Sequence, residues 1–479
     1  MSLQKRKLFW LRYSRLIIAL LLPLLCLLLP LEWYPIEGLT LVERRIIAIF
    51  VMAALFWILE PIPIYATSIL IIALELILVS DAALAPFRAG DPAELGPLLS
   101  YQKIMATFAS PIIILFLGGF FLAMAATKFR LDLNLARVLL RPFGTKPERV
   151  IMGLMGITAI FSMFMSNTAT TAMMLSILMP ILQVLDPKDR GRIALALCIP
   201  VAANIGGMGT PIGTPPNAIA LKYLTGADAI AFSEWMAFAV PFAILLLFFG
   251  WWLLLRLFPF QSTHIELDIK GRFQQNPKAY IIYVTFAVTI LLWLTDFVHG
   301  MNAYVVAIIP VAVFLATNII TKEDLKRLSW DVLWLVSGGI ALGVGLEDSG
   351  LADHLVSSVP FDVLPPVIII LLAAVLAAVM ANFMSNTATA NLLLPIVGAL
   401  GVSLDSLQGI GGATVLILGT ALASSMGMAL PISTPPNALA HASGEISTGQ
   451  MAKVGIITGF IGLLMIFGLL YILKLTGFF

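Results

Sequence analysis

Ser, Asn and Thr offer hydrogen-bond donors and oxygen ligands without carrying charge, and this chain sets them out twice in one order. Met165-Ser166-Asn167-Thr168-Ala169-Thr170 returns as Met384-Ser385-Asn386-Thr387-Ala388-Thr389. Thr214-Pro215-Pro216-Asn217-Ala218 returns as Thr434-Pro435-Pro436-Asn437-Ala438. The offsets are 219 residues (166 to 385) and 220 residues (214 to 434). Both motifs are polar islands in apolar sequence. Paired interruptions at matching places in two halves point to the binding site of a transporter.

Each Ser-Asn-Thr divides an apolar pair of segments, so it is expected at the tip of a hairpin that turns back within the membrane. Lipid cannot satisfy the backbone groups exposed there, and they must face protein, water or ligand. The helix leaving such a tip offers unpaired N–H groups to an anion. The helix arriving offers carbonyls to a cation. The two prolines of Thr-Pro-Pro-Asn end the preceding helix, and the run Gly206-Gly207-Met208-Gly209-Thr210-Pro211-Ile212-Gly213 loosens its approach. Carbonyls freed there suit a monovalent cation, while Thr214 and Thr434 are placed to face an anion. No Arg, Lys or His lies in either tip or either unwound segment. A dianion bound there therefore needs co-bound cations to lower the cost of entering a low dielectric.

The elements that position these residues are membrane helices. The chain has 479 residues, 60% hydrophobic and 11% charged, with mean hydropathy +1.02, against about 25% charged for a soluble domain. Its net charge of +2 gives no reason to expect nucleic acid. The fold expected is all-α and polytopic, with about 11 transmembrane helices and two re-entrant hairpins. We divide it into an N-terminal segment with a first, uncleaved helix (1–45), a first repeat (46–257, hairpin 150–185), a linker (258–278) and a second repeat (279–479, hairpin 365–401). Gly118-Gly119 answers Gly338-Gly339, and Pro180 answers Pro395.

Charge orients the halves. Lys128, Arg130, Arg137, Arg141, Lys146 and Arg149 precede the first hairpin, and Lys188, Arg190 and Arg192 follow it, so both its ends are expected in the cytoplasm. Between Leu328 and Ala452 there is no Lys or Arg; Asp348, Asp353, Asp362 and Asp405 flank the second hairpin, which is expected on the outer face. The linker, with Arg256, Lys270, Arg272 and Lys278, is expected inside. The N-terminus, with Lys5, Arg6, Lys7 and Arg12, is then cytoplasmic and the C-terminus outside, in a multi-pass protein of the inner (plasma) membrane. Same motif on opposite sides is the mark of an inverted-topology repeat.

With these motifs in this order, the sequence resembles the divalent anion:sodium symporter family, which moves di- and tricarboxylates or sulfate. The resemblance implies a homodimer whose protomers each pair a scaffold domain with a mobile transport domain working as an elevator. By motif it implies a first Na⁺ site at Ser162, Ser166, Asn167 and Gly213. It implies a second at Ala381, Met384, Asn386 and Ser433. The substrate would meet Asn167, Thr168, Thr214, Ser385, Asn386, Thr387, Thr434 and Pro435. The function implied is sodium-coupled import of a C4-dicarboxylate such as succinate, malate or fumarate. Sulfate or citrate symport and sodium-independent dicarboxylate exchange remain open within the same fold.

Other classes fit the residues poorly. An intramembrane enzyme needs a nucleophile with a base, or a metal, and no His/Cys/carboxylate cluster has metal-ligand spacing. Duplicated occluding hairpins argue against a channel. Cys26 and Cys198 read as buried apolar residues, and Glu75 as an interfacial or paired carboxylate. His441 reads as the end of a cytoplasmic helix, His354 as a loop residue, and Glu347, Asp348 and Asp353 as a solvated outer loop.

Overall fold

The structure is a computed structural model that describes residues 3–265, 272–358 and 361–478. Lys270 of the linker lies outside the described residues, as do the side chains of Lys5, Arg6, Lys7, Arg12, Asp362 and Asp405. Among the described residues the fold is all-α, apart from one isolated bridge between Ser80 and Leu99. Nine helices among them are long and apolar enough to cross a membrane, and five shorter helices are apolar. Four of the nine are hairpin arms.

The repeat is visible helix by helix. Leu41–Leu59, Ile64–Leu78 and Pro111–Lys128 correspond to Pro277–Leu294, Ala303–Ala316 and Trp330–Asp348. The hairpin arms Pro147–Phe164 and Asn167–Val184 correspond to Pro366–Phe383 and Asn386–Ser403. Gly191–Gly207 with Pro215–Tyr223 corresponds to Gly412–Ser424 with Pro435–Ala442, and Phe232–Leu257 to Thr448–Leu475. The halves interlock, because Ile64–Leu78 packs on Trp330–Asp348 and Ala303–Ala316 packs on Pro111–Lys128. Glycine permits both contacts: a Cβ on Gly118 would lie 2.4 Å from Ala307 O, and one on Gly338 would lie 2.3 Å from Ser68 Cβ. The hairpins and unwound helices form the largest core, against which the interlocked helices stand as two further cores.

Two expectations change. The helix expected from residue 46 begins at Leu41, so a division at 45/46 falls inside it. Its three charged residues, Glu43, Arg44 and Arg45, each find a polar partner, although Arg44 Nε is buried without one. Glu43 closes a capping box with Thr40. Arg44 Nη1 donates to Leu29 O at 3.0 Å, and Arg45 Nη1 donates to Leu78 O at 3.0 Å and Phe87 O at 2.7 Å. Glu75 is not interfacial: it is 0% exposed, with neither carboxylate oxygen hydrogen-bonded. Gly345 makes room for it, since a Cβ there would lie 2.8 Å from Glu75 Oε1.

Glu347 and Asp353 are exposed, as expected, and Asp348 is half-buried. Asp348 pairs with Lys103 at 2.9 Å, and Glu347 lies 3.9 Å from Lys222 Nζ. His354 sits in the helix Leu351–Ser358, with Nδ1 2.9 Å from buried Glu43 Oε1. Cys198 is buried and Cys26 half-buried, both unpaired. His441 falls in the last turn of Pro435–Ala442.

Two carboxylates outside the spans organise the basic face. Asp189 accepts from Gly191 N, Gln261 N, Ser262 N and Ser262 Oγ. Burial alone would raise its pKa, but these bonds prevail and hold it below the usual carboxylate range. Asp189 thereby clamps the start of the linker. Asp324 is held at about 2: burial opposes this, and the bonds from Lys128 and Thr321 outweigh it.

Candidate substrate and cation site

Each hairpin turns through two extended residues. Met165 and Met384 close the arriving helices, with φ, ψ of −127°, 163° and −131°, 174°. Ser166 and Ser385 then cap the departing ones, accepting from Ala169 N at 3.2 Å and Ala388 N at 3.1 Å. The departing arms begin at Asn167 and Asn386, so the free N–H groups of Asn-Thr point into the centre of the molecule.

The unwound segments are held by the asparagine of Thr-Pro-Pro-Asn. Asn217 Nδ2 donates to Met208 O at 3.1 Å and Thr210 O at 2.9 Å. Asn437 Nδ2 donates to Met428 O at 2.8 Å and Leu430 O at 3.1 Å. Each asparagine closes its broken helix by satisfying carbonyls the prolines leave free. Asn204 Nδ2 donates to Asn437 Oδ1 at 3.0 Å and so ties the halves together.

Tips and unwound segments meet at one cavity of about 170 Å³. All eight residues expected to bind substrate line it: Asn167, Thr168, Thr214, Ser385, Asn386, Thr387, Thr434 and Pro435. Of the residues expected to bind Na⁺, Ser166, Asn167, Gly213, Asn386 and Ser433 line it too, while Ser162, Met384 and Ala381 lie buried. Ser162 Oγ lies within hydrogen-bond distance of Asn167 Oδ1 and, at 2.7 Å, of Ala203 O, and its one proton can serve either. Gly207 and Gly213 close this group so tightly that a Cβ on Gly213 would lie 2.3 Å from Gly207 O. Asn386 offers the mirror arrangement. With its amide nitrogen facing the carbonyls, it donates to Ser424 O and Gly427 O, each at 3.2 Å.

The opposite wall was not legible in the motifs. It is formed by Ile64, Phe116, Phe120, Val332, Leu335 and one charged residue, Asp331. Phe116 and Phe120 lie one turn apart on one helix, but nothing distinguishes them from core residues in sequence. A second cavity of about 320 Å³ shares Phe120 and Ser166 with the first and leads past Ala123 and Thr127 to Lys128, Asp324 and Arg327. The central site thus adjoins, at Phe120 and Ser166, a cavity that reaches the basic face.

Comparison with known proteins fits this architecture. A family model described as the sodium:sulfate symporter transmembrane region matches residues 11–475. The sodium-dependent dicarboxylate transporter SdcS of Staphylococcus saprophyticus is 31% identical over 469 residues, covering 89% of this chain and 85% of that protein. SdcS of Staphylococcus aureus is 32% identical over 500 residues, covering 96% and 91%. The solved YdaH transporter of Alcanivorax borkumensis shares the fold with TM-score 0.54 at 14% identity, covering 86% of this chain and 97% of that one. MtrF of Neisseria gonorrhoeae does so with TM-score 0.51 at 13% identity, covering 85% and 94%. A duplicated, membrane-spanning chain whose two motif pairs close on one cavity thus matches the symporter model over nearly its whole length, and it belongs to the divalent anion:sodium symporter family, whose members are transporters and not enzymes.

Proposed function

We propose that this protein is a sodium-coupled importer of C4-dicarboxylates such as succinate, malate or fumarate. The observation that carries the reading is the convergence of both tips and both unwound segments on one small cavity, lined on that side by neutral donors and oxygens. The names of the two SdcS relatives, sodium-dependent dicarboxylate transporters, support the same choice of ion and substrate.

In this reading each helix that starts at a tip holds one carboxylate, through its first N–H groups and through Thr168 or Thr387. Two Na⁺ ions sit behind the tips. The first is held by Ser162, Ser166, Asn167 and Gly213, and the second by Ala381, Met384, Asn386 and Ser433, with backbone oxygens prominent. The second site has a geometric argument of its own: turned the other way, Asn386 Oδ1 faces Ser424 O and Gly427 O at 3.2 Å, three oxygens that a monovalent cation would join. Neutralised in this way, the dianion needs no Arg or Lys at the tips.

The basic face is the cytoplasmic one, by the distribution of Lys and Arg, which places the N-terminus inside and the C-terminus outside in the plasma membrane. We read the arrangement as inward-open, because a cavity lined by Lys128 and Arg327 adjoins the site at Phe120 and Ser166. The hairpins and unwound helices move as one transport domain against the interlocked scaffold helices, and two protomers associate through their scaffolds.

Uptake of labelled succinate into proteoliposomes tests this. Transport should require an inward Na⁺ gradient and disappear when choline or K⁺ replaces Na⁺. Equal uptake in choline rejects sodium coupling, and succinate counterflow without Na⁺ identifies an exchanger. Stronger competition by sulfate or citrate than by malate reassigns the substrate.

A further inference from the structure

Asp331 is the one ionisable side chain among the residues lining the central cavity. It lies in the first turn of Trp330–Asp348 and is exposed. It faces a site built to hold negative charge, where a carboxylate repels the cargo. Repulsion at a fixed place is useful if the cargo meets it on one leg of the cycle only.

The inverted repeat gives that condition. Gly118 and Gly338 align Pro111–Lys128 with Trp330–Asp348 at an offset of 220, which makes Pro111 the mate of Asp331. If the two open arrangements are mirror images, the outward-open cavity meets Pro111 where the inward-open cavity meets Asp331. A dianion arriving from outside then passes an uncharged position. One leaving to the cytoplasm sits beside a carboxylate, with exposed Arg327 further along the same path.

We propose that Asp331 speeds release of the dianion into the cytoplasm, as a repelling group that the fixed wall presents to the site only when it opens inward. The proposal rests on the transport reading above. Once Na⁺ dissociates into the cytoplasm, the bound dianion loses its counter-charges and faces Asp331 unshielded, so ion and substrate leave in succession. Asp331 is a positioning residue for the exit step and ligates neither ion nor cargo.

The test measures apparent succinate affinity from each side, in oriented proteoliposomes with the same subsaturating Na⁺ on whichever side is measured. Asp331→Asn should lower the cytoplasmic-side KM about three- to tenfold and change the external KM less than about twofold. The cytoplasmic effect should shrink as ionic strength rises, which loss of a structural contact would not do. Pro111→Asp should do the reverse and raise the external KM. Equal changes on both faces, or none on either while Asn167→Ala still abolishes uptake, overturn the proposal and leave the site assignment standing. If the wild-type protein gains no thermal stability from succinate with Na⁺, the site assignment falls and the proposal with it.

Discussion

The two hairpin tips carry the same residues in the same backbone conformation and meet different surroundings. Thr168 is exposed, whereas its mate Thr387 is 9% exposed. Ser166 borders both the central cavity and the one leading to the basic face, and Ser385 borders the first of these and not the second. Identical motifs thus report the position of each tip. The supporting bonds also differ. Thr210 Oγ1 donates to Met163 O in the first half, and Gly213 N donates to Thr210 Oγ1 at 3.0 Å. In the second half Ser433 Oγ donates at 2.9 Å to Asn382 O, the mate of Met163 O, while Leu430 N donates to Ser433 Oγ at 3.2 Å. The same carbonyl is capped by the same kind of group, delivered from the other end of the four-residue turn. What the duplication has kept is the bond, and the residue that supplies it has changed.

The asparagines should show the largest effects. Asn167→Ala removes the partner of Ser162 and a cavity-lining amide that we propose meets both cargo and ion. Asn386→Ala removes the contact with Ser424 O and Gly427 O. Each should lower uptake about a hundredfold in protein that still assembles. Wild-type uptake by either variant would break the equivalence of the halves.

Exchanging the swapped hydroxyl sharpens the comparison. Gly213→Ser, which copies the second half into the first, drives a side chain onto Gly207 O and should cost about 1–3 kcal/mol of stability. Ser433→Gly loses the bonds to Asn382 O and from Leu430 N and should cost about 1–2 kcal/mol. Thermal unfolding in detergent compares them, and a larger loss for Ser433→Gly would contradict the packing argument. If Na⁺ is held as we propose, Ser162→Ala should raise the Na⁺ concentration for half-maximal uptake by about tenfold, since its mate Ala381 has no side-chain oxygen to offer.

These differences show where sequence stops being informative. The expected hairpin limits, 150–185 and 365–401, lie within three residues of the observed helices, because proline, a serine cap and an apolar run mark each arm. The eight candidate substrate residues gather because their motifs repeat. Asp331, Glu75 and the Asn204–Asn437 bond were not legible. A carboxylate at a helix start looks the same whether it faces water or a cavity. Glu75 lies near the end of its helix, and only the packing of Trp330–Asp348 over it shows its burial. The Asn204–Asn437 bond joins residues of different halves, and no periodicity within one half specifies it.

The smallest effect concerns two ion pairs that the duplication relates with their signs exchanged. Lys128 ends one helix and pairs with Asp324 at 2.5 Å, and its mate Asp348 ends the other and pairs with Lys103 at 2.9 Å. The cation stands at the helix end on the basic face and the anion at the helix end on the other, as the positive-inside rule requires. The Lys128–Asp324 pair should matter more: its side chains are 35% and 14% exposed against 64% and 29%, and Lys128 also donates to Ile319 O at 2.9 Å. Asp324→Asn should therefore lower the unfolding temperature by about 1–2 °C, and Asp348→Asn by less. Because folding lowers the pKa of Asp324 from about 4 to about 2, its contribution is complete above about pH 4 and is lost as pH falls toward about 2. Over that window the wild-type stability curve should fall more steeply than that of Asp324→Asn. Parallel curves would show that the Lys128–Asp324 pair, like an ordinary surface pair, contributes nothing to holding the helix end against its loop.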